Sequence, residues 1–208
     1  MMKKITTATA SALLAATMIS CAHHSEDSGT AAQGNPLNFG KGLRTADPSA
    51  HVWNDGKMYV YTSHDEECQE DFWMKDWYAF SSTDLQNWET HGPLLSVDDL
   101  SWADNYAWAP DAAYKNGKYY LVFPAGTGHK DRVNPQNSTK WMGIGIAESD
   151  SPTGPFTDKI GAPLWTSPYA NDPSLFIDDD GQPKTINLAR MPISLNVFKS
   201  WFIDKIIK

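Results

Sequence analysis

The sequence predicts an all-β fold assembled from propeller-type blades, and three observations carry that expectation. First, one hairpin pattern with an acid at its front occurs three times, as ADPSAHVWNDGKMYVYTSHD (46–65), WAPDAAYKNGKYYLVFPAG (108–126) and ANDPSLFIDDDGQPKTINL (170–188). The acids Asp47, Asp111 and Asp172 lie 64 and 61 residues apart. Second, a strand-Ser-Asp-turn element keeps the same step: it runs through WYAFSSTDLQNWET (77–90) and MGIGIAESDSPTGPFTD (142–158), with Ser82 and Ser149 67 residues apart. Third, no persuasive helical period occurs between residues 38 and 183. Self-similarity at a fixed period marks a repeat architecture.

Each repeat resolves into antiparallel strands. HVW and MYVYTS flank Asn54-Asp55-Gly56, AAY and YYLVF flank Lys115-Asn116-Gly117, and LFI precedes Asp178-Asp179-Asp180-Gly181. Asn-Gly and Asp-Gly between alternating apolar residues favour a hairpin because the turn needs positive φ. One hairpin plus one further strand pair makes a four-stranded blade. The described pattern covers about two and a half blades, residues 37–183. In a propeller the innermost strands line a common channel, so acids at the front of those strands are expected to converge. The Asp178–Asp180 run lacks the alternating spacing of a calcium loop and is expected to be a hairpin turn. His129 in GTGHKD is expected on a loop, with no metal to hold.

The ends of the chain read differently from its middle. MMKK followed by ITTATASALLAATMIS, residues 1–20, has the charge and apolar pattern of an export signal, too short to stay across a bilayer. Cys21 after Met-Ile-Ser resembles a bacterial lipobox and is expected to carry a lipid anchor, with secretion as the alternative. Cys68 would then have no disulfide partner. Residues 21–36 are small, polar and aperiodic, as in a flexible tether. The tail 184–208 carries five Lys or Arg against one Asp, whereas residues 21–183 carry ten against 24 acids. That reversal is expected of a truncated or frame-shifted end, with a short amphipathic helix from Ser194 as a possibility. The formal charge of −8 argues against a nucleic-acid partner, which needs a basic face. The 41% hydrophobic content and nine Trp are enough for a packed core, and an aromatic content above what a core needs suggests flat apolar surfaces for a ligand.

The three motifs, Ala-Asp-Pro-Ser (46–49), Trp-Ala-Pro-Asp (108–111) and Asn-Asp-Pro-Ser-Leu-Phe-Ile-Asp-Asp-Asp-Gly (171–181), resemble those of glycoside hydrolase family 43. That family consists of five-bladed propellers and includes α-L-arabinofuranosidases, β-xylosidases and arabinanases. The resemblance implies an inverting hydrolysis without cofactor, acting on arabinoxylan or a related carbohydrate. Asp47 would be the general base, and Asp172 the third carboxylate, orienting the acid and tuning its pKa. Trp108 and Asp111 would line the pocket, and His64, at the end of the first hairpin, could reach the same funnel. The membrane would be met only through the Cys21 lipid, and the resemblance leaves the oligomeric state open.

The pattern breaks in one respect. The family's general acid is a Glu well beyond the third Asp motif, yet Glu148 is the last Glu of this chain. Two and a half blades cannot close into a ring, so poor solubility and negligible hydrolysis are expected of the chain by itself. A non-catalytic carbohydrate-binding fragment is the alternative function, and a retaining, invertase-like propeller a weaker one.

Overall fold

The computed structural model describes residues 43–66, 72–127, 141–177 and 183–187, all within the Ala31–Lys208 unit of the chain. The export signal, Cys21, the tether, Cys68, His129, the Asp178–Asp180 turn and the tail beyond Asn187 lie outside the described residues.

Among the described residues, ten strands fall into three antiparallel sheets. The first blade is the meander β1 (Arg44–Val52), β2 (Met58–Asp65), β3 (Asp76–Ser82) and β4 (Glu89–Ser96). A 3-10 turn, Val97–Asp99, follows it, closed by a capping box between Ser96 and Asp99. The second blade is β5 (Asp111–Lys115), β6 (Lys118–Thr127), β7 (Trp141–Ser149) and β8 (Trp165–Thr166). A third hairpin pairs β9 (Pro173–Ile177) with β10 (Pro183–Asn187). Two four-stranded sheets and a hairpin are the two and a half blades that the repeat predicts. The hairpin ladder runs to Asn187, so the first four residues of the basic tail are part of it.

Turn chemistry sets the hairpins. Gly56 and Gly117 take φ of +76° and +81°, and Asn116 takes +51°, which a two-residue reversal between β5 and β6 requires. Strand β5 runs beside both β1 and β9, so the front strands of successive hairpins are neighbours. This is the convergence expected of innermost propeller strands.

The core lies between blades, and strand periodicity explains how one sheet serves two interfaces. Successive side chains of a strand point to opposite faces. On β6, Leu121, Phe123 and Ala125 face the first blade and meet Tyr61, Trp77 and Leu94. Their alternates Tyr120 and Val122 face the third hairpin and meet Ile144, Ile146 and Leu175. Each fully buried large apolar side chain of this kind stabilises the fold by about 1.5–3 kcal/mol.

Most described Trp side chains serve this packing. Trp77 is fully buried with its ring 4.5 Å from that of Phe123, and Trp102 stacks on Phe123 from 6.1 Å. Trp53 stacks on His51 at 4.8 Å and packs against the same core. Trp108, by contrast, is an indole that borders a cleft.

Candidate active site

Asp47 owes its position to a defect in a strand. The β1–β2 ladder pairs Ala46 with Ser63 and then Ser49 with Tyr61, so Asp47 and Pro48 together oppose Thr62. Pro48 has no N–H to donate, and such bulges re-aim side chains beside functional sites. Asp47 adopts φ +53°. A left-handed residue is unusual anywhere and more so before proline, which disfavours helical conformations in the residue preceding it. Asp172, before Pro173 in the third hairpin, adopts φ +48°. Two acids in separate hairpins thus share one costly conformation, worth about 1–3 kcal/mol each, and strain of this kind concentrates at functional sites.

Both carboxylates border one cavity. It measures about 310 Å³ and is lined by Asp47, Phe72, Met74, Trp108, Asn171 and Asp172. A second cavity of about 390 Å³ shares Trp108, Asn171 and Asp172 and continues past Met142, Pro168, Tyr169 and Ala170. Each is of the size usual for small-molecule sites, about 300–1,000 Å³. The acids are exposed on the open side of this cleft. Ser63 Oγ, itself buried, stands 3.0 Å from Asp47 Oδ2 and 3.1 Å from the Ala46 carbonyl, so its single proton holds the acid near the strand. Partial burial raises the Asp172 pKa above the usual carboxylate range, and the negative charge of Asp47 raises it further. Asp172 therefore lies within reach of the Asp47 charge.

Trp108 is fixed at both ends. Its Nε1 donates to the Phe72 carbonyl at 2.9 Å, its carbonyl accepts from Trp77 Nε1 at 2.7 Å, and Tyr106 meets its ring edge-on at 5.0 Å. A rigid indole bordering two carboxylates is a surface on which an apolar sugar face can rest, with the acids reaching the polar edge.

Two residues expected at the pocket are elsewhere. Asp111 does not border either cavity: it is 8% exposed, and its carboxylate accepts five hydrogen bonds. The reason is a shift of position along the motif. Asp47 and Asp172 precede their prolines, whereas Asp111 follows Pro110 and occupies the place of Ser49 and Ser174. Burial alone would raise its pKa, but hydrogen bonds from His51, Ser49 and the Leu175 N–H outweigh burial and hold it below the usual range. His64 also turns from the cleft. Its Nδ1 lies 2.7 Å from Asp76 Oδ1 and its ring packs edge-on against Tyr78 at 4.9 Å.

Ser49, His51 and Asp111 are the residue types of a hydrolytic triad, but they do not form one. Ser49 Oγ and Asp111 Oδ1 both meet Nε2 of His51, at 2.9 and 2.8 Å. A triad needs the acid on one ring nitrogen and the nucleophile on the other. Among the described residues no group of three or more His, Cys, Asp and Glu side chains is placed to hold a metal ion.

The cleft also contains residues that the motifs do not flag. Phe72 and Met74 come from the segment between β2 and β3, and Ser63 comes from the strand opposite the bulge. Asn171 had a signal available, since it adjoins Asp172 in the motif.

Paired acids and an indole thus border one cavity on propeller-type sheets, and comparison with known proteins identifies the family. The chain belongs to the glycosyl hydrolases family 43, whose model matches residues 39–186. It is 43% identical over 149 residues to the xylosidase/arabinosidase 43A of Humicola insolens, covering 67% of this chain and 42% of that protein. To a xylosidase/arabinosidase of Bacteroides ovatus it is 39% identical, covering 65% of this chain and 41% of that protein. The chain thus spans about two fifths of the length of these relatives. Among solved structures it resembles a β-xylosidase/α-arabinofuranosidase from a compost metagenome, in complex with xylotriose, at 40% identity and a TM-score of 0.58. That match covers 71% of this chain and 43% of the other. A family 43 enzyme of Xanthomonas citri complexed with xylotriose matches at 38% identity and a TM-score of 0.59, covering 71% of this chain and 41% of the other.

Proposed function

We propose that the Asp47–Asp172 cleft is the base-side part of a glycosidase site that cleaves xylosyl or arabinofuranosyl linkages of plant cell-wall carbohydrate with inversion. One observation carries this reading. Two acids from separate hairpins meet at one cavity beside a fixed indole, both in a left-handed conformation before proline.

The chemistry assigns a role to each. Asp47, ionised, takes a proton from a water molecule on the sugar face opposite the leaving group. The water oxygen bonds to the anomeric carbon as the glycosidic C–O bond breaks, and a carboxylic acid donates its proton to the departing oxygen. Asp172 would stand beside that acid, where its negative charge raises the acid's pKa and keeps it protonated at working pH. Trp108 would carry the sugar ring. Xylotriose bound to two of the similar structures supports the substrate class.

Among the described residues the cleft carries two Asp and no Glu, so these residues are expected to bind a sugar better than they cleave one. The test combines calorimetry with xylotriose and turnover of aryl xyloside and arabinofuranoside. Binding is expected in the parent and its loss in Trp108→Ala, with turnover about 10²-fold or more below that of a complete relative. Turnover matching such a relative, or binding indifferent to Trp108, would overturn the reading.

A further inference from the structure

Asp111 binds both of the segments that carry the cleft acids. From the first hairpin, Ser49 Oγ donates to Oδ1 at 2.5 Å and His51 Nε2 lies 2.8 Å from the same oxygen. From the third, Ser174 Oγ donates to Oδ2 at 3.0 Å and the Leu175 N–H donates to it at 2.7 Å. The Ala112 N–H, 2.8 Å from Oδ1, orients the carboxylate from its own strand. Ser49 and Ser174 each follow a cleft acid with one proline between, in Asp47-Pro48-Ser49 and Asp172-Pro173-Ser174. The proline ring fixes φ of the intervening residue, which restricts how far each acid can move independently of its serine. A carboxylate that holds both serines therefore also constrains both acids.

We propose that Asp111 is a positioning residue: by tying the two Asp-Pro-Ser segments to one carboxylate, it sets the separation at which Asp47 and Asp172 face the cleft. The proposal rests on the paired-acid reading of that cleft. Asp111 suits the task because a carboxylate has two oxygens, and here each serves a different hairpin. Its burial strengthens the bonds, since hydrogen bonds to a charged group are the stronger kind and the surroundings screen them little. An amide at this place has one acceptor oxygen and cannot bind both hairpins alike.

A structural tie and a positioning residue differ in what they do to Asp172. If Asp111 sets the spacing of the acids, releasing it weakens the influence of Asp47 on Asp172 even while the fold survives. The experiment is a carboxyl ¹³C NMR titration of Asp172 in the full 208-residue chain, with amide exchange at Leu175 as a second readout. The variants are Asp111→Asn and the double change Ser49→Ala with Ser174→Ala. Asp47→Asn calibrates the charge effect. Both clamp variants are expected to lower the Asp172 midpoint by at least half the drop seen in Asp47→Asn. In Asp111→Asn the Leu175 amide is expected to exchange about tenfold faster, having lost a charged acceptor. Faster exchange with an unchanged Asp172 midpoint makes Asp111 a structural tie only and overturns the proposal. If Asp111→Asn does not fold, the serine double variant decides by the same midpoint. An Asp172 midpoint that ignores Asp47→Asn overturns the paired-acid reading and the clamp with it, and is told apart by the variant in which it occurs.

Discussion

The first and second blades open with hairpins of closely similar sequence and use the acid at the front in opposite ways. In the first, Asp47 precedes its proline, is left out of the ladder by a bulge, and turns an exposed carboxylate to the cleft. In the second, Asp111 follows its proline, enters the ladder opposite Val122, and buries its carboxylate among donors from two other hairpins. The blades also close differently. β4 is an eight-residue outer strand, whereas β8 has two residues. Pro152, Pro155 and Pro163 interrupt the segment before β8, and a proline has no N–H to continue a ladder. An anchor replaces the strand: Trp102 Nε1 donates to Asp158 Oδ2 at 2.8 Å while its indole packs over Gly143 and Gly145. A repeat thus preserves backbone architecture more faithfully than it preserves the use of a side chain.

The largest effect should separate the two acids when each is removed by mutation. Asp111→Ala leaves Ser49, His51, Ser174 and the Leu175 N–H without their shared acceptor, and is expected to cost about 3 kcal/mol or more. Asp47→Asn keeps a residue tolerant of positive φ and should stay within about 1 kcal/mol of the parent. Urea midpoints at neutral pH measure both, and equal losses would break the contrast between the hairpins.

A smaller effect tests how the second blade is closed. A Cβ on Gly145 would come within 2.6 Å of Phe123 and Trp102, so Gly145→Ala is expected to cost about 1–3 kcal/mol through overpacking. A melting temperature equal to the parent's would show that Trp102 does not press on this strand.

The smallest effect sharpens the comparison by its sign. Asp111 has a depressed folded pKa, so its contribution to stability is present above the unfolded value, about 3.9, and is lost as pH falls through the folded one. Asp172 has a raised folded pKa, so its ionisation penalises folding above that value and the penalty fades as pH falls. Asp111→Asn should therefore cost less stability at pH 3 than at pH 7. Asp172→Asn should stabilise slightly at pH 7, with the gain shrinking toward pH 3. Urea midpoints followed across this range check both, and changes of the same sign would refute the opposed roles.

Much of the fold was legible because it depends on local chemistry. Asn-Gly and Asp-Gly turns between alternating apolar residues place the hairpins at Asn54–Gly56 and Asn116–Gly117. Asp47 and Asp172 were legible as a pair because the same Asp-Pro-Ser triplet carries both. Asp111 shares the spacing of the other two acids but stands on the other side of its proline, a difference that separates it from the cavity. Met74 left no trace in the motifs, since it comes to the cavity from the segment between β2 and β3, and Ser63 reaches Asp47 only through strand pairing.

Strand order, turn positions and the identity of the two cleft acids were thus already present in the chain, because each rests on a few adjacent residues. Only the tertiary structure decided that His64 turns to Asp76, that Trp108 is held between Phe72 and Trp77, and that Asp111 joins two hairpins. These outcomes depend on donors and acceptors more than ten residues apart, brought together by blade packing. A buried carboxylate takes whichever donors the neighbouring strands present, and its own segment does not name them.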